Sequence, residues 1–289
     1  MSGGRVVVVG DVMTDVVASL SGPVAHGSDT PARVVQRGGG AGANVAAWLA
    51  RAGASVTLIG RVGDDAAGRE ILEGLRAEGV DTRLATDPAR PTGTCVVLVE
   101  PGGERSMLPD PGANAGLEAV PLPEDATHLH LAGYALLHPG SRPAARALLA
   151  DAAARGLTIS VDPSSAAPLA RAGAAAFFDW IQGVQLLLPN RDEAAVLTSV
   201  PDPRGAARAL TAHAGEVVVK LGAQGALWTD GGEQLRAPAV DVQVVDTTGA
   251  GDAFAAGLLA ARLAGAGPAD ALGAGCALAA EAVARAGAR

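Results

Sequence analysis

The stretch Val244-Val245-Asp246-Thr247-Thr248-Gly249-Ala250-Gly251-Asp252-Ala253-Phe254 reads as an apolar strand end that runs into a glycine-rich turn. A helix then begins at about Asp252. Such a turn leaves backbone N–H groups unpaired at the positive end of the helix macrodipole. That is an anion site suited to a phosphoryl group. Gly249 and Gly251 let the backbone approach the anion where a Cβ would obstruct it. Asp252, placed beside it, can accept a proton from an attacking alcohol, the general-base role in phosphoryl transfer. A plainer reading makes Asp252 an N-cap and the glycines a turn. The stretch alone leaves both open.

A second glycine-rich region runs from Arg37 to Gly53, with Gly38, Gly39, Gly40 and Gly42 close together and Asn44 opening a helix. Bare backbone here can carry a polyol while Asn44 and nearby amides bond its hydroxyls. Gly38-x-Gly40-x-x-Ala43 also fits a loose dinucleotide fingerprint, with Asp64 and Asp65 beyond it. Against that, the preceding strand would be Arg33–Gln36, which is polar and short. The better first strand, Val6–Val9, leads instead into Gly10-Asp11 and lacks the fingerprint. No Gly-x-x-x-x-Gly-Lys-Ser/Thr occurs, so the chain is not a P-loop enzyme.

Further apolar runs recur at Val56–Ile59, Cys95–Val99, His128–Leu131, Thr158–Val161, Val184–Leu188 and Val217–Leu221. Helical patterns separate many of them: Asn44–Ala52, Ala66–Glu78, Arg142–Arg155, Asp192–Leu197, Pro203–Ala214 and a long tail from Ala253. This alternation predicts an α/β fold, a mostly parallel sheet with helices on both faces. Asp15–Val35 and Arg90–Met107 break the alternation and suit a small projecting sheet, as a lid would be. No repeat or linker marks a second domain, so residues 1–289 read as one.

The chain has 289 residues and a net charge of −8, with 49% hydrophobic and 2% aromatic residues. The core is therefore built from Ala, Val and Leu. The acidic balance and scarce aromatics argue against a nucleic-acid surface. The two cysteines, Cys95 and Cys276, form no C-x-x-C pair, so neither a disulfide framework nor a zinc site is expected. The N-terminal apolar run is too short for a signal peptide. No run of about 18 uninterrupted apolar residues suggests a membrane span. A cytoplasmic location is the expectation.

Together the two glycine-rich segments resemble the PfkB, or ribokinase, family of carbohydrate and nucleoside kinases. Gly38-Gly39-x-x-x-x-Asn44-x-Ala46 is similar to its N-terminal signature, and Asp246-Thr247-x-Gly249-Ala250-Gly251-Asp252-x-Phe254 to its C-terminal one. Gly10-Asp11-x-x-x-Asp15, the run Ile59–Gly68, Asn190-x-x-Glu193, Lys220-x-Gly222-x-x-Gly225 and Pro111-Gly112-Ala113-Asn114 agree with it. The resemblance implies a ribokinase-like three-layer α/β/α fold of about nine central strands with a β-rich lid, drawn from about 15–35 and 90–107. It implies ATP-dependent, in-line phosphorylation of a primary hydroxyl on a sugar or sugar-like acceptor. Asp252 would be the base, with Gly249, Ala250 and Gly251 stabilising the developing charge. Asp15, Gly39, Gly40, Asn44 and Arg105 would meet the acceptor. Asn190, Lys220, Gly222, Gly225, Thr248 and Gly251 would line the nucleotide. Glu193 would hold Mg²⁺ through water, and Asp246 with Thr248 could hold K⁺. Asp64 reads better as a helix-start residue than as a ligand.

Met13 and Ala41 stand where ribokinases proper often carry Asn and Lys, which makes the pocket less polar. This keeps a nucleoside kinase in play as an alternative. A non-catalytic ligand or nucleotide sensor is a third reading, disfavoured by the intact Asp252 and glycine loop. His128 and His130 share a strand face but have no evident third metal ligand. An exposed lid sheet also makes homodimerisation through the lid an expectation.

Overall fold

Val6–Val9 divides its side chains between two cores: Val6 and Val8 pack into one, Val7 and Val9 into the other. A strand buried on both faces belongs to a sheet covered on both sides. The computed structural model describes residues 4–102, 104–285 and 287–289. Its strands are β1 Arg5–Val9, β2 Met13–Leu20, β3 Ala32–Gly39, β4 Val56–Gly63, β5 Asp81–Asp87, β6 Gly93–Val99, β7 Arg105–Asp110, β8 Ala126–Ala132, β9 Thr158–Asp162, β10 Leu186–Leu187, β11 Glu216–Lys220, β12 Ala226–Thr229 and β13 Gln234–Ala237. The helices are α1 Ala41–Arg51, α2 Ala66–Ala77, α3 Tyr134–Leu137, α4 Arg142–Ala154, α5 Ala166–Ala172, α6 Ala174–Trp180, α7 Arg191–Thr198, α8 Pro203–Leu210, α9 Ala250–Leu263 and α10 Pro268–Val283.

The central sheet has nine strands in the order β13-β12-β11-β10-β9-β8-β1-β4-β5. All pairs from β5 to β11 are parallel, and β12 and β13 close one edge antiparallel. Helices α1, α2, α9 and α10 cover one face, and α3 to α8 the other. This is the three-layer α/β/α arrangement the alternation predicted. Ala-rich helices suit it because they pack closely. A Cβ on Gly257 of α9 would lie 2.6 Å from the Ala274 carbonyl oxygen of α10.

Strand order reverses between β1 and β8: the chain leaves β1 toward β4 and β5, then returns to β8 on the other side. In open α/β sheets this switch point, at the carboxyl ends of the strands, is where ligands sit. Gly10 and Asp11 follow β1 there, Gly133 and Tyr134 follow β8, and Asp162 and Lys220 end β9 and β11.

A second sheet of four strands, in the order β3-β2-β6-β7, supplies the lid. The run Cys95–Val99 therefore belongs to the lid and not to the alternating central sheet. Strand β3 is eight residues long, where the sequence suggested only Arg33–Gln36. Its polar character reflects an exposed edge position. Val244 and Val245 do not form a strand end; they lie in a segment outside any strand or helix, 60% and 57% exposed. Val245 donates its amide to the Val283 carbonyl at the end of α10. Among the described residues, no helix is long and apolar enough to cross a membrane.

Candidate active site

Helix α9 begins at Ala250, two residues before the position expected from sequence, with Gly249 in the left-handed region (φ 73°) as its N-cap. No side chain caps it. The Ala250 amide is spent on the Thr247 carbonyl at 3.3 Å. Those of Gly249, Gly251 and Asp252 make no hydrogen bond to the described residues. Asp252 thus sits in the first turn without capping it. Its Oδ2 instead accepts a hydrogen bond from Asn44 Nδ2 at 2.9 Å. Burial, with the nearby Asp162 and Asp11 carboxylates, pushes its pKa up to about 8, against the pull of the Asn44 bond and Lys220. A carboxyl with a pKa near neutrality is well matched to proton transfer.

Asn44 does not open α1. The helix starts at Ala41 after Gly40 (φ 94°), and Asn44 projects from the end of its first turn. The α1 N-terminus is already occupied, since Asp11 Oδ2 accepts from the Ala41 amide at 3.2 Å. Gly38 and Gly39 end β3, an edge strand of the lid sheet, and so do not belong to a strand of the central sheet as a dinucleotide unit requires. A Cβ on Gly39 would collide with the Asp15 carboxylate, so the bare backbone makes room for that side chain. Burial, and then the Asp11 charge, raise the Asp15 pKa to about 6.

Lid residues Met13, Asp15, Cys95, Met107 and Pro109 alternate along β2, β6 and β7 onto one face. That face lines a cleft of about 880 Å³ at the switch point. Thr248, Gly249, Gly251 and Asp252 line the same cleft. Asn190, Glu193, Lys220 and Gly222 line it too, as do Gly40 and Asn44. Lys220 Nζ forms an ion pair with Asp162. Burial acts to lower the lysine pKa, but Asp162, Glu193 and Asp252 outweigh it, so the ammonium stays charged. Glu193 and Asn190 form a capping box on α7, with the Glu193 amide donating to Asn190 Oδ1 and the Asn190 amide to Glu193 Oε2. Burial and the Asp162 charge raise the Glu193 pKa to about 7.

Other expected contacts lie elsewhere. Arg105 does not line the cleft. Its Nη2 pairs with Asp246 Oδ1 at 2.9 Å, and its Nη1 donates to Thr247 Oγ1 at 2.6 Å, so it ties β7 to the glycine loop. Asp246 Oδ1 also accepts from the Thr248 amide, and Oδ2 from the Gly287 amide. Asp246 is thus held by the Arg105 guanidinium and two backbone amides. Gly225 does not line the cleft; its φ of 84° and the adjacent Ala237 carbonyl require glycine for the turn into β12. At α2 the capping residue is Asp65, which accepts from the Gly68 amide, while Asp64 pairs with Arg69 at 3.2 Å.

Two cleft carboxylates have no role in the sequence reading: Asp11, quoted only as part of a pattern, and Asp162. Each is the first acidic residue at or just past the carboxyl end of a buried parallel strand, and that position is the signal that could have found them. Asn114, quoted only as part of a pattern, clamps the lid root: it accepts from the Val12 amide and donates to the Val12 carbonyl, both at 2.9 Å. His128 and His130 are joined through Ser160 at 2.8 Å each. Burial lowers both pKa values to about 3, so they stay neutral. Among the described residues, no group of three or more His, Cys, Asp or Glu side chains could hold a metal ion.

Comparison with known proteins agrees with this geometry. A model of the pfkB family carbohydrate kinases matches residues 4–289. A ribokinase of Schizosaccharomyces pombe is 30% identical over 86% of this chain and 82% of its own length. The structure of adenosine kinase from Sinorhizobium meliloti superposes with a TM-score of 0.90 at 26% identity, over 99% of this chain and 96% of that one. A double mutant of fructokinase from Vibrio cholerae O395, holding fructose, ADP and a potassium ion, gives 0.84 at 27% identity, over 99% and 94%.

Proposed function

Because the chain belongs to the pfkB family of carbohydrate kinases, we propose that it transfers the γ-phosphoryl group of ATP to a primary hydroxyl of a small sugar or sugar-like acceptor. As a member of that family it is a phosphotransferase with an alcohol group as acceptor. One observation carries the finer reading. The Asp252 carboxylate stands at the uncapped N-terminus of α9, in the same cleft as Asp15 and Asn44.

The acceptor lies between the lid and α1, its hydroxyls bonded by Asp15 and Asn44. Its attacking hydroxyl gives its proton to Asp252. The amides of Gly249 and Gly251 meet the charge that develops on the transferred group. Lys220 adds a fixed positive charge, held in place by Asp162. The exposed Val240, Val244 and Val245 (48%, 60% and 57%) offer apolar surface near the loop for an adenine ring. Asp162 and Glu193, both lining the cleft beside Lys220, are the carboxylates that would hold a Mg²⁺ ion through water, as this ion prefers few protein ligands. Bound there, it would neutralise phosphate charge. The lid shields the reacting groups from water, limiting hydrolysis.

A nucleoside acceptor is the second reading. The apolar Met13, Met107, Pro109 and Leu117 lining the cleft suit a base attached to the sugar. Measuring ADP release over pentoses, hexoses, sugar acids and nucleosides separates the two. Absence of turnover with every class would reject the kinase reading. A second copy of the chain is a further proposed partner, through the outer lid face where Val34, Val96 and Leu108 are exposed. Light scattering tests it, and a monomer at high concentration would rule it out.

A further inference from the structure

Trp48 is the one aromatic residue of α1, 1% exposed, and it does not line the cleft. Its Nε1–H donates to the Ala288 carbonyl at 2.8 Å, 240 positions along the chain. Ala288 is packed against the loop that opens α9. A Cβ on Gly249 would lie 2.6 Å from the Ala288 carbonyl oxygen and 2.8 Å from its Cα. One residue earlier, the Gly287 amide donates to Asp246 Oδ2 at 2.9 Å. Residues 287–288 therefore touch the glycine loop at two points, Asp246 and Gly249, and Trp48 anchors them to α1. Trp48 follows Asn44 by four residues, so the two share one face of the helix. Asn44 holds Asp252 directly. That face thus reaches the loop twice, once at the base and once, through Ala288, at the glycine that precedes the helix. The guanidinium groups of Arg51 and Arg285 stand 4.6 and 5.9 Å from the Trp48 ring centroid and hold the indole in place.

We propose that Trp48 is a positioning residue for phosphoryl transfer, whose indole N–H, acting through Ala288, sets the place of the Gly249 amide relative to Asp252. The proposal rests on the kinase reading and adds to it a residue outside the cleft. Gly249 is in the left-handed region, and no side chain caps the helix it precedes. Its conformation must therefore be held from outside, and Ala288 is the wall that holds it. An apolar ring would fill the space of the indole but would leave the buried Ala288 carbonyl without its donor. An unpaired buried acceptor is costly, so the segment would shift toward another donor and release Gly249. A misplacement of about 1 Å at a group that meets the transferred phosphoryl is enough to slow the reaction severely. Asn44 and Asp15 do not depend on this bond, so the acceptor side is left as it is.

Two measurements test this, one of them independent of turnover. The chain has three tryptophans, so the indole N–H signals of ¹⁵N-labelled protein can be assigned with Trp180→Phe and Trp228→Phe. As AMP-PNP with Mg²⁺ binds the wild type, the Trp48 signal should shift although its ring lies outside the cleft, and the other two should stay. This reading stands even where a Trp48 variant fails to fold. The second measurement uses Trp48→Phe, which removes the donor and keeps an apolar ring. Its kcat/KM for ATP should fall about 10- to 100-fold. Calorimetry without nucleotide should find its affinity for the acceptor, chosen from ribose, fructose and adenosine by turnover, within about twofold of wild type. The pH at which kcat/KM turns on the acid side should not move, since Asn44 still bonds Asp252. A Trp48 signal that ignores bound AMP-PNP would overturn the proposal. So would a variant with a lower melting temperature or smaller active fraction but an unchanged kcat/KM for ATP per active site, which is the signature of core packing alone. A wild type that binds no AMP-PNP and turns over no acceptor rejects the kinase reading itself, and the role of Trp48 with it, before any variant is compared.

Discussion

The two glycine-rich loops look alike in sequence and are opposite in electrostatics. Each feeds a helix through a glycine with positive φ, Gly40 before α1 and Gly249 before α9, and neither glycine has a side chain to cap with. At α1 the chain supplies its own carboxyl oxygen, with Asp11 Oδ2 on the Ala41 amide. At α9 the amides of Gly249, Gly251 and Asp252 are left without protein partners. A helix N-terminus attracts negative charge from whichever source reaches it. The helix start at the first loop is therefore already occupied, while the second is open to an anion, which on the proposed reading is the phosphoryl group. Asn44 and Asp252, hydrogen-bonded to each other, are where the two loops meet.

Removing the base should break this division most severely. Asp252→Asn keeps a partner for Asn44 but cannot accept the hydroxyl proton, so kcat should fall by about 10²- to 10⁴-fold. Calorimetry should find acceptor and ATP binding largely intact; wild-type turnover would disprove the role. The same carboxyl sets the next largest effect. Its pKa is pushed up to about 8, so it is mostly protonated below that pH, and the active form is the deprotonated one. The value of kcat/KM should therefore fall about tenfold per pH unit on the acid side of that value. A profile flat from pH 6 to 9 would exclude this.

A matched pair of glycine substitutions sharpens the contrast between the loops. At Gly251 a Cβ would lie 3.5 Å from Lys220 Nζ, an ordinary contact, so Gly251→Ala should fold normally. It should cost about 1.5–3 kcal/mol of nucleotide binding by crowding the phosphate off the amides. At Gly42 a Cβ would lie 2.6 Å from the Gly10 Cα, backbone that cannot swing aside. Gly42→Ala should destabilise the fold by about 1–3 kcal/mol in denaturant melts. The reverse assignment of the two phenotypes would undo the comparison. The smallest effect belongs to Arg105→Gln, which cuts the tie between lid and glycine loop. With both partners about one-fifth exposed, the loss should be about 1 kcal/mol, seen as a few-fold rise in KM with little change in kcat.

Much of the fold could be read before any coordinates, because a buried parallel strand is a short β-branched run and the helices between are amphipathic or Ala-rich. Val6–Val9 and Val217–Leu221 are such cases. Boundaries failed where glycine hid the signal. Helices α1 and α9 each start earlier than the first polar residue suggested, since Gly40 and Gly249 cap by backbone conformation alone. Val244 and Val245 failed for another reason: exposed apolar residues in a loop have the same composition as a strand end. Arg105 reads as an acceptor contact in the sequence because its partner, Asp246, lies far along the chain.

The sequence by itself determined the layer architecture, the two glycine loops and the residue types available to them. Those are local properties, fixed by periodicity and by what a missing Cβ permits. Only the tertiary structure decided which loop is filled and which is open, and where Asp11, Asp162 and Lys220 stand relative to Asp252. These depend on burial and on charges brought together across the switch point from strands distant in sequence. The free energy of a buried carboxylate is set by the neighbours that pair with it or leave it bare.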